Sequence, residues 1–317
     1  MKEMNRRLDV FINPNANRGA ARGNWPRVEA ALCQDWQNVH PWFAESAEDL
    51  HQKVADAIGQ GASCLAAAGG DGTLQTVLDA LMETREMGLP ADELCLGAIG
   101  MGTSNDFHKP AAQSSQLAGF PCRLQPDQAR LRDVIRLDAT LPSGITRTHY
   151  FLQSSHAGAI PAANDRLTRQ KSLASRLYPY WYSGALMLAS AQEVFTFPGF
   201  SATIEAGSNH WEGLFSGMSI IKHKHVAGSF VFRTPRTPDD GLFDLAICNK
   251  VGAFRLISLI NAFEKQGLRG HPEVHCIETN EVRAKFGSPL PIDFDGELID
   301  VTAAHWKIVP RVVKMMG

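Results

Sequence analysis

Two short stretches combine glycines, hydroxyls and a carboxylate: 69-GGDGT-73 and 100-GMGTSNDF-107. Glycine lets a main chain approach a ligand with no Cβ in the way, and exposed N–H groups in such a turn bind phosphate oxygens. A helix that begins there adds the partial positive charge of its N-terminus. Asp71, inside the first stretch, is at odds with a bare phosphate. It fits where a cation neutralises it or where it accepts hydrogen bonds from hydroxyls. Neither stretch continues as Gly-Lys-Ser/Thr and neither has G-x-G-x-x-G spacing, so the two commonest glycine-rich nucleotide loops are excluded. Either stretch alone also reads as a tight strand-to-helix connection; the pair, on successive strand ends, favours a ligand site. A third stretch, 292-IDFDGELI-299, carries Asp295 and Glu297 around a glycine, and by itself Asp-Gly reads as a hairpin turn.

The flanking patterns say what must position these residues. Buried strands are expected at 8–13, 38–44, 63–68 and 94–100. Helices are expected at 25–36, with Val28, Leu32 and Trp36 inward, at 46–59 behind an N-cap at Ser46 with Asp49 at the capping-box distance, and at 73–83. Strands alternating with helices imply a parallel sheet covered on both faces, with ligands at the carboxyl ends of its strands. Past residue 132 the pattern changes to alternating runs at 131–141, 147–155, 199–207, 213–224 and 242–250. These imply a mostly antiparallel β domain. A helical insertion near 165–191 and a helix at 251–263 interrupt it. The expected division is 1–132 and 133–317, with the C-terminal segment returning to the first domain.

Composition narrows the classes. With 317 residues there is room for two cores, and a net charge of −2 gives no bulk electrostatic case for nucleic acid. The N-terminus has no apolar signal region, and 177–191 is too short and interrupted to span a bilayer. The six cysteines are scattered, without metal or redox spacing. These features point to the cytoplasm. The run 222-KHKH-225 reads as a solvated strand face, and His156 as a core or turn histidine. Arg233 and Arg236 read as surface arginines or as readers of a phosphate. The aromatic run 178-YPYWY-182 would either pack the insertion or line a lipid cleft.

Gly-Gly-Asp-Gly-Thr, followed about thirty residues on by Gly-Thr-x-Asn-Asp-Phe, resembles the diacylglycerol kinase catalytic domain family, which includes bacterial lipid kinases, sphingosine kinases and ceramide kinases. Residues 13-NPNANRG-19, 238-PDDGLFDLAI-247, 271-HPEV-274 and 295-DGE-297 resemble further family motifs in the same order. The resemblance implies an N-terminal NAD kinase-like α/β nucleotide-binding domain and a C-terminal β-sandwich. It implies that Asn13, Gly69, Gly70, Asp71, Gly72, Thr73, Gly102 and Thr103 hold ATP. Asp295 would be the general base, with Glu297 beside it. Asp240, with the carbonyls of Thr237 and Leu242, would hold a structural magnesium ion. Asp106, with Arg18, would belong to a charge network beside the site and counts with the metal-linked residues. The implied reaction moves the γ-phosphate of ATP, with Mg²⁺, to a lipid hydroxyl of diacylglycerol type or a long-chain alcohol. Contact with a membrane surface would be transient, and a homodimer is left open. Phosphoryl transfer is mostly positioning and charge stabilisation, and these parts suffice for it.

The chain also departs from the family pattern. Asn-Glu after the first glycine loop is Gln75-Thr76, a Thr at the second strand end is Ala44, and a glycine of the first turn is Asn17, which tolerates positive φ. The acceptor-side Asn-x-x-x-Gly stretch reads 153-QSSHAG-158. These changes keep two alternatives open: a diverged kinase of a small soluble alcohol, or a nucleotide-binding protein without catalysis.

Overall fold

In the computed structural model, which describes residues 4–17, 19–88, 93–110, 115–168, 189, 192–226, 230–265 and 269–317, the first third alternates strand and helix. Strands β1 (Met4–Ile12), β2 (Trp36–Phe43), β3 (Cys64–Gly69) and β4 (Cys95–Gly100) pair in parallel, in the order β4-β3-β1-β2. Helices α1 (Ala20–Asp35), α2 (Ala47–Gly59) and α3 (Asp71–Glu86) connect them. Helix α2 starts as its sequence dictates: Ser46 Oγ accepts from Asp49 N–H at 3.1 Å, a cap worth about 1 kcal/mol. Helix α1 starts earlier than its apolar spacing suggests, because Ala21 and Trp25 extend its buried face. Trp36 is the first residue of β2 instead of the last helical one. Asn17 has φ 48°, so asparagine does occupy the left-handed position of the first turn.

The sheet does not stop at the first domain. A short 3₁₀ turn (Asp106–His108) and the hairpin β5 (Ser115–Leu117) and β6 (Phe120–Arg123) follow β4. Then come β7 (Arg130–Thr140), β8 (Thr146–Phe151), β9 (Ser154–Gly158) and helix α4 (Ala159–Thr168). Strands β10 (Phe200–Ala206) and β11 (Asn209–Ile221), the ribbon β12 (His225–Val226) and β13 (Phe230–Val231), and β14 (Phe243–Asn249) complete the middle. Helix α5 (Ala253–Lys265) precedes β15 (Val274–Thr279), β16 (Glu281–Phe294) and β17 (Glu297–Met315). In this half β15-β14-β11-β10-β16-β17 are antiparallel neighbours, and β9 bridges β11 and β16. The aromatic run 178–182 and most of the expected insertion lie outside the described residues.

Strand β17 joins the two halves. It pairs antiparallel with β16 and β7, then runs parallel to β4 through Lys314↔Cys95 and Met315↔Leu96. Side chains from both halves meet in one core: Leu74 and Leu78 of α3 pack in a cluster with Val134, Tyr150 and Met315. A second core lies under α1, and a third fills the antiparallel half around Trp306 and Phe243.

Candidate active site

The parallel register sets the site. Gly69 pairs with Gly100, and Ala68 with Ile12, so Asn13 and both glycine loops leave the sheet side by side at its carboxyl edge. Asn13 N donates to Ala68 O at 3.1 Å, and its Nδ2 reaches Thr73 Oγ1 at 3.4 Å. The two loops are pressed together. A methyl group on Gly102 would stand 2.3 Å from Gly70 Cα, and one on Gly69 would stand 2.2 Å from Thr73 Oγ1. Asn105, in the left-handed region at φ 49°, folds the second loop. Its Oδ1 accepts from Gly102 N–H, and its Nδ2 donates to Gly100 O and Gly102 O. Thr103 is exposed at the tip.

Asp71 is the first residue of α3, and its carboxylate fastens one loop to the other. Oδ2 accepts from Asp106 N–H at 3.0 Å, and Oδ1 from Phe107 N–H at 2.9 Å and from Gln153 Nε2 at 3.3 Å. Burial raises its pKa, the Phe107 amide opposes that rise, and the charge of Asp106 adds to it. The carboxylate that looked misplaced among phosphate-binding amides is thus a clamp that holds the turn after the second loop. Asp106 is buried, and its Oδ1 accepts from Lys109 Nζ at 2.7 Å. Arg18 lies outside the described residues.

The third stretch arrives on the β16–β17 hairpin. Asp295 occupies the left-handed region at φ 47° and Gly296 follows at φ 94°, so the hairpin reading holds together with a placement in the site. The Asp295 carboxylate rests in a nest of three amides: Leu152 N–H to Oδ2 at 2.9 Å, and Gln153 and Ser154 N–H to Oδ1, each at 3.0 Å. Burial lifts its pKa to about 7, against the pull of those amides and helped by the charge of Asp71. Glu297 is exposed and stands over the first loop: a methyl on Gly72 would lie 2.7 Å from its Oε1.

The residues that fix these parts to one another include Gln153 and Gln75, which the sequence marks only as departures from the family pattern, and Asp79, which it does not mark. Gln153 bridges two carboxylates, with its main-chain N–H on Asp295 and its side-chain amide on Asp71. Asp79 of α3 accepts Tyr150 N–H at 2.8 Å and His149 Nδ1 at 2.9 Å, docking the helix on β8. Gln75, one of the departures from the family pattern, donates to Tyr150 O at 3.2 Å across the same contact. Its change to glutamine was the available signal. Buried Asp293 accepts His156 N–H at 3.1 Å. His156 is a core histidine, set between Ser219 Oγ and Ser154 Oγ.

The residues expected to hold a structural magnesium do not fit one. Lys222 Nζ lies 2.6 Å from Asp240 Oδ1 and 2.8 Å from Leu242 O. Lys222 therefore departs from the solvated-face reading of 222–225, its side chain being 3% exposed, whereas Lys224 is exposed as expected. Thr237 contributes its N–H, which donates to Asp240 Oδ2 at 3.1 Å. Arg236 is committed internally, to Asp240 at 3.4 Å and to Glu278 at 3.1 Å.

Glycine loops at the ends of parallel strands, faced by a carboxylate hairpin from a β-sandwich, define a two-domain kinase architecture. The diacylglycerol kinase catalytic domain matches residues 7–130, and the YegS C-terminal NAD kinase beta sandwich-like domain matches residues 176–317. A "Probable lipid kinase YegS-like" of Pseudomonas putida is 30% identical over 274 residues, covering 85% of this chain and 82% of that protein. A "Diacylglycerol kinase" of Staphylococcus saprophyticus is 23% identical, over 93% of this chain and 90% of that one. A diacylglycerol kinase crystal structure from Bacillus anthracis superposes with TM-score 0.67 at 14% identity, covering 99% of this chain and 98% of that one, and shows the same fold. The chain belongs to the diacylglycerol kinase catalytic domain family and is an enzyme of the kinase class.

Proposed function

We propose that the chain transfers the γ-phosphoryl group of ATP, used with Mg²⁺, to a hydroxyl of a lipid of diacylglycerol type or a long-chain alcohol. The observation that carries this reading is the convergence on Asp71. It links the second glycine loop, through Asp106 and Phe107, to Asp295 through Gln153. Phosphate oxygens would meet the amides of Gly70 and Gly72 at the N-terminus of α3. Mg²⁺ bound with the nucleotide supplies charge neutralisation on the phosphates, and the exposed Glu297 carboxylate offers hard oxygens on that side.

Asp295 would take the acceptor's proton. Two carboxylate oxygens present about four acceptor positions, and three are filled by amides. Among the described residues Oδ2 accepts one hydrogen bond and Oδ1 two, so Oδ2 is the oxygen left for the hydroxyl. The acceptor O–H bond breaks toward Oδ2 as its oxygen forms the new P–O bond and ADP leaves. The lipid acceptor is supported by what the relatives are named. Two observations favour other readings. Asp295 is only 8% exposed, which suits a nucleotide-binding protein without catalysis. Residues 153–158 are buried, which suits a rebuilt acceptor cleft for a soluble alcohol. A cytoplasmic setting fits six free cysteines.

The test is ATP consumption by the purified chain with Mg²⁺, against a lipid panel and a soluble-alcohol panel, with Asp295→Asn as control. Turnover with lipid that the variant loses supports the proposal. Turnover with soluble alcohols alone replaces the acceptor. ATP binding without turnover on either panel establishes the non-catalytic reading. In the variant, Nδ2 would face the Leu152 N–H donor, so its ATP binding must be read below its own melting temperature.

A further inference from the structure

We propose that the Lys222 ammonium is a built-in cation standing where a divalent structural ion would sit, so that the turn at 237–242 is held without bound metal. An ammonium has three N–H donors. Lys222 Nζ finds three acceptors: Asp240 Oδ1 at 2.6 Å, Asp133 Oδ2 at 2.7 Å and the Leu242 carbonyl at 2.8 Å. A magnesium ion needs oxygens at about 2.0–2.1 Å in an octahedron. A magnesium ion on Asp240 Oδ1 and Leu242 O would compete with the ammonium for the same two oxygens.

The charges agree. Fully buried Asp133 and the part-exposed Asp240 share the Lys222 ammonium, and Arg236 adds positive charge at the edge, with Nη1 3.4 Å from Asp240 Oδ2 and Nη2 3.1 Å from Glu278 Oε1. A divalent ion added beside Nζ would stand at close range from the like charge of the ammonium, which repels it.

Asp133 shows what the cluster organises. Its side chain is fully buried. Besides Lys222 it accepts Gly241 N–H at 2.7 Å and Arg311 N–H at 3.0 Å, while its own N–H donates to Pro238 O at 2.8 Å. One carboxylate thus ties the 238–242 turn to β17 at Arg311, where the chain passes toward the first domain. The cluster also reaches the site. Lys222 N–H and His223 N–H donate to Gln153 O at 2.8 and 3.0 Å, on the residue that touches both Asp71 and Asp295. The inference holds whatever the acceptor is.

The test uses the nucleotide-free full chain and reads thermal unfolding in EDTA and in millimolar Mg²⁺. The wild type is expected to melt at one temperature in both. Lys222→Ala leaves two carboxylates and a carbonyl around a vacated position. It is expected to melt lower in EDTA and to regain about 3 °C or more in Mg²⁺. A wild type stabilised by Mg²⁺ to that extent overturns the proposal. So does a folded Lys222→Ala whose melting temperature ignores Mg²⁺. If the variant does not fold, the wild-type comparison decides alone.

Discussion

Gln153 donates its side-chain amide to Asp71 Oδ1 at 3.3 Å, and no other residue among those described joins that carboxylate to the one at 295. Gln153 sits in β-rich sequence from the second half, whereas Asp71 opens a helix of the first. The bond therefore joins the nucleotide loops to the proposed base, beside the docking of α3 on β8 by Asp79 and Gln75.

Replacing Gln153 with Leu removes the side-chain bond but keeps the main-chain amide on Asp295. A hydrogen bond to a carboxylate contributes about 1.5 kcal/mol, roughly tenfold in an equilibrium or a rate. The expected result is a roughly tenfold lower kcat with ATP affinity nearly unchanged, because Asp71 keeps the Asp106 and Phe107 amides that clamp the two glycine loops. Equal damage to both constants, read from steady-state kinetics and direct nucleotide binding, would make Gln153 a general support of the fold.

The two glycines at the loop contact should respond differently to a methyl group. At Gly102 the new atom would meet Gly70 Cα at 2.3 Å, main chain against main chain, and one loop must move. Overpacking of this kind costs about 1–3 kcal/mol. Gly102→Ala is expected to weaken ATP binding at least roughly tenfold while the chain stays folded. At Gly72 the obstacle is Glu297 Oε1 at 2.7 Å, the end of a flexible, exposed side chain that can swing away. Gly72→Ala should bind ATP within about threefold of wild type. Nucleotide titration of both variants checks the contrast, and equal loss in both would show that the loops are not in contact in solution.

What could be read from the sequence was local. The Ser46 cap, the buried run at 64–69 and the alternation at 200–206 depend on neighbours within a few residues, and each forms as its pattern dictates. The burial of Lys222 depends on Asp133, 89 residues away, and on a turn 18 to 20 residues ahead. Alternating charge on a strand gives no sign of that. Helix α3 begins at Asp71, before its first apolar residue, because the carboxylate finds amides 35 and 36 residues downstream. The glycine and carboxylate residues of the candidate site were legible because ligand-facing turns restrict residue type. The side chains that hold them were not, since many residues could make the same bonds.

The last prediction concerns pH. Burial raises the Asp293 carboxyl to about 8, against the His156 amide and with the charge of Asp295 adding to the rise; Asp295 itself stands at about 7. Both lie above the ordinary aspartate value of 3.8, so between that value and about 8 the folded chain binds more protons than the unfolded one. The stability these two groups contribute is complete below about pH 4 and is lost as pH rises to about 8. Asp293→Asn keeps an acceptor for His156 N–H and removes one titration. Its melting temperature relative to wild type should therefore rise steadily from about pH 5 to about pH 8. Activity should move the other way, because a base works only when deprotonated. Phosphoryl transfer is expected to climb with pH, reach half its maximum near 7 and level off about one unit higher, with ATP affinity flat over the same range. A transfer rate that is constant across that interval, measured with saturating ATP, would remove Asp295 from the role of base and leave it as the residue that folds the 152–154 turn.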